Sequence, residues 1–274
     1  MSESTAQVIF HKFCEHFALE LYHEHIFPTG QALERIMHEY DRLGFTGAVG
    51  SPDVTHTKWD CCPCSFARTY TGKEGFATIA YQATVGRSGC ALAVTKSFPG
   101  ATKDKSIIRY DVAVQTVGED PTYCDRTFRL FNEEGTWMEH KGVYLLVDNG
   151  YHEWAMLMPP SKGSLTDEQT RWSKTLKSVR KDVESFFGVL KGRFKILKLP
   201  IFYRENEKMD NVFFACCILH NMLHTRDDLD VLEDADWAGV DGQRDREVAE
   251  PETDHGWVGF RRNFGCDDGQ TTRS

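Results

Sequence analysis

KSVRKDVESFFGVLKGRFKIL, Lys177 to Leu197, carries the clearest periodicity in the chain. Val179, Val183, Phe186, Phe187, Leu190 and Phe194 recur every three or four positions, which is one buried stripe of an α-helix. At about 100° per residue, Glu184 stands roughly 110° from the middle of that stripe, on its flank. Arg180, Gly188, Lys191 and Lys195 share the flank. An acid at the edge of a core, surrounded by cations, is a candidate for holding a metal and a phosphate. The plainer alternative is an Arg180/Glu184 surface ion pair, stabilising the helix by about 0.3–0.5 kcal/mol.

Two aspartates upstream bear on the choice. Asp53 follows the strand-like run GFTGAVGSP, and Asp148 ends another, GVYLLVD. Ninety-four residues separate Asp53 from Asp148, and 35 separate Asp148 from Glu184. The competing acids are Asp60 and Asp182. Asp182 lies about 200° round the helix from Glu184, so one face cannot present both, and its neighbours are less cationic.

Two strand-borne aspartates and a helix-borne glutamate at this spacing resemble the DDE transposases and integrases. The segments GSPDVTH, YTGKEGFATI, FPGATKDKSI, YLLVDNGY, VRKDVESFFGVLKGRF and CCILHNML follow one another in order. Together they resemble the DDE endonuclease domain of PIF/Harbinger transposases, from about Gly44 to Leu223. The resemblance implies an α/β fold, an RNase H-like mixed sheet flanked by helices. It also implies that Asp53 and Asp148 are the strand ligands, and Glu184 the helix ligand, of catalytic Mg²⁺ or Mn²⁺. The implied activity is cutting and joining DNA at transposon ends. A Myb/SANT-like partner protein would then supply DNA binding and entry to the nucleus.

The chemistry suits those residue types. Cutting a phosphodiester means stabilising charge on an attacking and a leaving oxygen, which two divalent ions about 3.5–4 Å apart can do. Mg²⁺ prefers oxygen ligands and keeps waters, so a few carboxylates suffice. Without metal such carboxylates repel, by about 4 kcal/mol per pair at 4 Å and an effective dielectric of 20. Lys73, Arg180, Lys191 and Lys195 are the candidate phosphate contacts. His56 is either a site residue or a hydrogen-bonded structural histidine, and His220, in an apolar helix, is a core histidine. Cys61, Cys62 and Cys64 invite a zinc reading but lack a second ligand pair at matching spacing.

Charge distribution supports a nucleic-acid partner despite a net −9. Residues 225–274 hold 14 acids against 6 bases, whereas Arg171–Lys208 holds 11 bases against 4 acids. Nine cysteines, an odd count, and no signal-like opening read as reduced thiols in the cytosol or nucleus. No apolar run is long enough to span a bilayer as a helix.

In chain order, residues 1–44 read as an N-terminal helical segment, with helices at Ala6–Ile26 (Ser4 or Thr5 as N-cap) and Gln31–Leu43. Its opening SESTAQVIFHKF resembles the tail of a helix-turn-helix whose first helices would precede this chain. The alternative is a helical pair packed on the catalytic domain. Residues 45–224 read as the DDE endonuclease domain. Strands are expected at Phe45–Asp53, Phe76–Val85, Cys90–Phe98 and Gly142–Asp148. Helices are expected from Asp104 through Val114, at Leu165–Phe194 with a Thr166/Gln169 capping box, and at Met209–His224. Gly118–Gly142 reads as a loop with short helical pieces, and 225–274 as an acidic, mostly disordered tail. Two functions stay open. One is an active transposase, with homo-oligomerisation undecided. The other is a domesticated or decayed derivative, a nuclear DNA- or protein-binding factor that no longer cuts.

Overall fold

A computed structural model describes residues 3–226 except 27, 132–134, 152–153, 163–165, 202 and 204. The expectation of a disordered tail therefore lies outside the described residues. Two helices come first, α1 (Glu3–His25) and α2 (Gly30–Asp41), followed by strand β1 (Ala48–Lys58) and a short α3 (Ala67–Tyr70). Next come β2 (Thr78–Val85), β3 (Ala91–Val94), β4 (Phe98–Pro99), α4 (Asp104–Ile107), α5 (Val112–Glu119) and α6 (Pro121–Cys124). Strands β5 (Thr127–Phe131), β6 (Trp137–Lys141), β7 (Tyr144–Leu146) and β8 (Leu157–Met158) precede α7 (Asp167–Val179), α8 (Lys181–Arg193) and α9 (Asn206–Arg226).

The main sheet is mixed, in the order β3-β2-β1-β7-β8, with β4 also paired to β2. β1, β2 and β3 are antiparallel neighbours, whereas β7 and β8 join β1 in parallel. Every residue of β2 is buried, because helices cover the sheet around it. The stripe of α8 supplies Val183, Phe186, Phe187 and Leu190 to one core, with Ile79, Tyr81, Ala83 and Val85 of β2 and Phe213, Cys217 and Ile218 of α9. Burying each of those large side chains contributes about 1.5–3 kcal/mol before conformational entropy is charged.

Three expectations need correction. The helix from Leu165 to Phe194 is two helices, meeting at Arg180. Leu176 and Val179 of α7 pack with Phe45, Tyr144 and Leu146, while the stripe of α8 enters the core of β2 and α9. A single straight helix could not reach both. The Thr166/Gln169 capping box stands as expected. The helix from Asp104 through Val114 breaks at Asp111, whose carboxylate accepts the Ala113 N–H and so starts α5 afresh. Within Gly118–Gly142, β5 and β6 form a separate two-stranded sheet. Its Phe128 lies against Gly47, at φ +90°, where a Cβ would strike the ring.

Both N-terminal helices pack on this body. Cys14, Phe17, Leu21 and Tyr22 of α1 join the core beneath α9. Leu33, Ile36 and Tyr40 of α2 join the cores on the other side of β1 and β7. Among the described residues, no helix is long and apolar enough to cross a membrane.

Candidate active site

β1 and β7 run parallel with Gly50 opposite Leu145. Asp53 and Asp148 each lie three residues further on, Asp53 still inside β1 and Asp148 two residues past the end of β7. Asp53 does not end its strand, contrary to expectation, because the ladder to β2 carries β1 on to Lys58 after β7 has stopped at Leu146. From there one edge of β1 is open, and its polar groups need other partners.

Four groups on that edge can be accounted for. Pro52 has no N–H to offer. The Val54 N–H donates to Asp53 Oδ1 at 2.8 Å. Lys191 Nζ donates to the His56 carbonyl, and the Ile201 N–H to the Lys58 carbonyl, both at 2.8 Å. Asp53 thus sits where a strand edge has run out of strand.

Its surroundings are electrostatically loaded. Burial raises the Asp53 carboxyl above the ordinary carboxylate range, while the Val54 amide and the Arg180 charge oppose that shift. Asp104 and Glu184 push it up further, Asp104 more than Glu184. Glu184, exposed on the flank of α8, is therefore within electrostatic reach of Asp53. Arg180 makes no ion pair with Glu184. Its guanidinium reaches Asp148 Oδ1 instead, with Nη1 at 3.5 Å. Tyr151 is buried in the same place, its hydroxyl without a hydrogen-bond partner among the described residues. Burial first, then the charges of Asp53 and Asp104, raise that phenol well above its usual value.

The four phosphate candidates fare differently. Lys73 is exposed in the turn before β2, and its charge acts on His56. Lys195 is exposed beyond α8. Lys191 is half-buried and engaged with the strand edge, and burial lowers its ammonium pKa. Arg180 is only 9% exposed. His56 Nδ1 contacts Thr78 Oγ1 at 3.1 Å, and burial lowers its pKa. The competing acids have other partners: Asp60 pairs with Lys58 at 2.7 Å, and Asp182 with Arg87 at 2.8 Å. His220 is buried between the Gly89 carbonyl and Arg193.

The donor set fits a hard divalent cation in kind: carboxylate oxygens from β1, from the end of β7 and from α8. Closeness is a separate matter. Among the described residues, no three His, Cys, Asp or Glu side chains are gathered tightly enough to ligate one ion. That holds for the carboxylates and for Cys61, Cys62 and Cys64 alike.

A family model described as plant transposon protein matches residues 22–231. The chain belongs to that family. The chain aligns with "Protein ALP1-like" of Arabidopsis thaliana at 22% identity, over 83% of this chain and 55% of the relative. It aligns with "Putative nuclease HARBI1" of Bos taurus at 23% identity, over 72% of this chain and 52% of the relative. The HARBI1 of Homo sapiens aligns over the same shares at 22%. The chain spans about half the length of these curated relatives. Together the matches bear out the Harbinger-type, DDE transposase-like resemblance. No solved structure matches the chain.

Sequence reasoning missed two residues at this site. Asp104 lies in FPGATKDKSI but read only as a helix start. It comes back toward β1 because Gly100 packs against Thr78 and Tyr70 so closely that a Cβ would collide with both. The Gly100 N–H donates to the Thr78 carbonyl at 2.9 Å. Tyr151 lies in YLLVDNGY, and its N–H closes the turn onto the Asp148 carbonyl at 3.2 Å. The two motifs contained the residues; periodicity carries no signal for a loop that returns across a sheet.

Proposed function

We propose that this protein is a divalent-metal-dependent DNA endonuclease, with Asp53, Asp148 and Glu184 as the metal-holding acids. The observation that supports this reading is the parallel pairing of β1 with β7, which directs Asp53 and the turn at Asp148 toward the same end of the sheet, while the charge of Glu184 on α8 acts on Asp53. The strand order supports an RNase H-like fold: three antiparallel strands continued by two parallel ones. The nuclease name of HARBI1 adds support at low identity. Bound Mg²⁺ or Mn²⁺ would activate the attacking water and stabilise the leaving oxygen. The chain's own part is to hold three carboxylates on three elements, exclude water behind them with the core, and present exposed Lys73 and Lys195 to the phosphate backbone. Those contacts give affinity without reading sequence. Strand transfer at transposon ends, a Myb/SANT-like partner and nuclear action belong to the same proposal.

A second reading, a DNA- or protein-binding factor that no longer cuts, draws on the Arg180–Asp148 contact, which places a cation where a metal would be needed. Nicking of supercoiled plasmid separates the two. With Mg²⁺ or Mn²⁺ the protein should nick, and EDTA or Asp148→Asn should abolish it, a loss of at least about 10²–10³-fold. Nicking that survives EDTA overturns the metal role. DNA binding with no nicking under any metal favours the second reading.

A further inference from the structure

We infer that Arg180 is the resident cation of this acid set, in contact with Asp148 and within reach of Asp53 in the metal-free protein, and competing with a divalent ion for Asp148. The inference rests on the proposed metal role of Asp53 and Asp148.

Arg180 sits at the joint between α7 and α8, where its N–H donates to the Leu176 carbonyl at 3.0 Å, so the backbone beneath the guanidinium is fixed. The residue is buried, yet its one ion-pair contact among the described residues, Nη1 to Asp148 Oδ1, is 3.5 Å long. Charge-assisted N–H···O contacts usually close to about 2.7–2.9 Å. Its Nε is buried with no partner among the described residues. A guanidinium has five donors, and an arginine kept only for packing or structure would gather carbonyls around them. This one faces carboxylates across a loose contact.

Asp148 is the solvent-facing half of the pair, its side chain 57% exposed against 10% for Arg180. The Arg180 charge acts on Asp53 and Tyr151 as well, so all three lie within its field. A positive charge among acids that would otherwise repel has one clear effect: it makes the metal-free arrangement tolerable. By linkage it must also weaken the binding of any cation that needs the same carboxylates.

The test uses the full chain and Mn²⁺ alone, read by thermal unfolding and by titration calorimetry. Arg180→Gln should melt lower than wild type without metal. Mn²⁺ should then raise its Tm by more than it raises that of wild type, and its Mn²⁺ Kd should be tighter by about 5-fold or more. Arg180→Lys keeps the charge on a different stem and should fall between the two, which preserves the test if the glutamine variant does not fold. A lower Tm with an unchanged Mn²⁺ increment and unchanged Kd means Arg180 serves structure only, and overturns the inference while leaving the metal assignment intact. No Mn²⁺ binding to wild type or to either variant overturns the metal assignment itself.

Discussion

Asp53 and Asp210 are both largely buried acids, and burial raises the carboxyl pKa of each. They are kept in opposite ways. Asp210 accepts the Tyr81 hydroxyl at 3.0 Å and the Ser97 N–H at 3.2 Å. Asp111, a third buried acid, accepts the Gln82 amide and the Ala113 N–H. Asp53 receives only the N–H of its own neighbour Val54. Around it the Tyr151 hydroxyl and Arg180 Nε are also buried without partners among the described residues. The core acids have been supplied with donors, while the acids at the open edge of β1 have been left short. Buried polar groups ordinarily find partners, and this shortfall, one of several among the described residues, lies beside the proposed metal ligands.

The largest effect should come from the supplied acids. Asp210→Ala strands the Tyr81 hydroxyl and the Ser97 amide. Asp111→Ala strands Gln82 and removes the N-cap of α5. Each should lower the unfolding free energy by about 2–4 kcal/mol, measured by urea denaturation. Changes within about 0.5 kcal/mol would mean that the donors around these acids are not what holds them, and the contrast with Asp53 would collapse.

A smaller effect separates two lysines that looked alike in sequence. Lys191 bonds the His56 carbonyl, whereas Lys195 is exposed. Lys191→Ala should cost about 1 kcal/mol of stability, because a strand-edge carbonyl loses its donor. It should leave the salt dependence of DNA binding unchanged. Lys195→Ala should do the reverse: stability within about 0.5 kcal/mol of wild type, and a slope of log K against log salt shallower by about 0.9. An identical response from both lysines would remove the distinction between edge and surface.

That pair also shows what the sequence could and could not carry. The apolar stripe at Val183, Phe186, Phe187 and Leu190 was legible because three- and four-residue spacing is a local property, and those four side chains are buried. The Thr166/Gln169 capping box was legible for the same reason. The length of β1 was not. Asp53 read as a strand end because it closes the strand-like run GFTGAVGSP, but the ladder to β2 continues past it, and pairing is not local. The break at Arg180 was invisible because each half of the stripe has good helical spacing, and only the positions of two separate cores force the turn. The β5–β6 hairpin was missed because its residues are mostly exposed, with Phe128 the one buried side chain of the two strands. At the site, resemblance supplied Asp53, Asp148 and Glu184. Asp104, Tyr151 and the Arg180–Asp148 contact required the fold.

The most direct test of the difference between supplied and unsupplied acids is the metal-free stability of Asp53→Asn as a function of pH. The folded-state pKa of Asp53 is raised, so between the unfolded value of 3.8 and the higher folded value the native state binds more protons than the unfolded state. Stability therefore falls as pH rises through that window, and the penalty persists at neutral pH. Asparagine cannot ionise, yet it retains an oxygen for the Val54 N–H. The account predicts that wild type and Asp53→Asn unfold with equal free energy below the carboxylate range. The variant should become the more stable of the two as pH rises to 7, in EDTA. A variant less stable than wild type at pH 7 would contradict it, because Asp53 would then be an acid that the fold needs in its charged form.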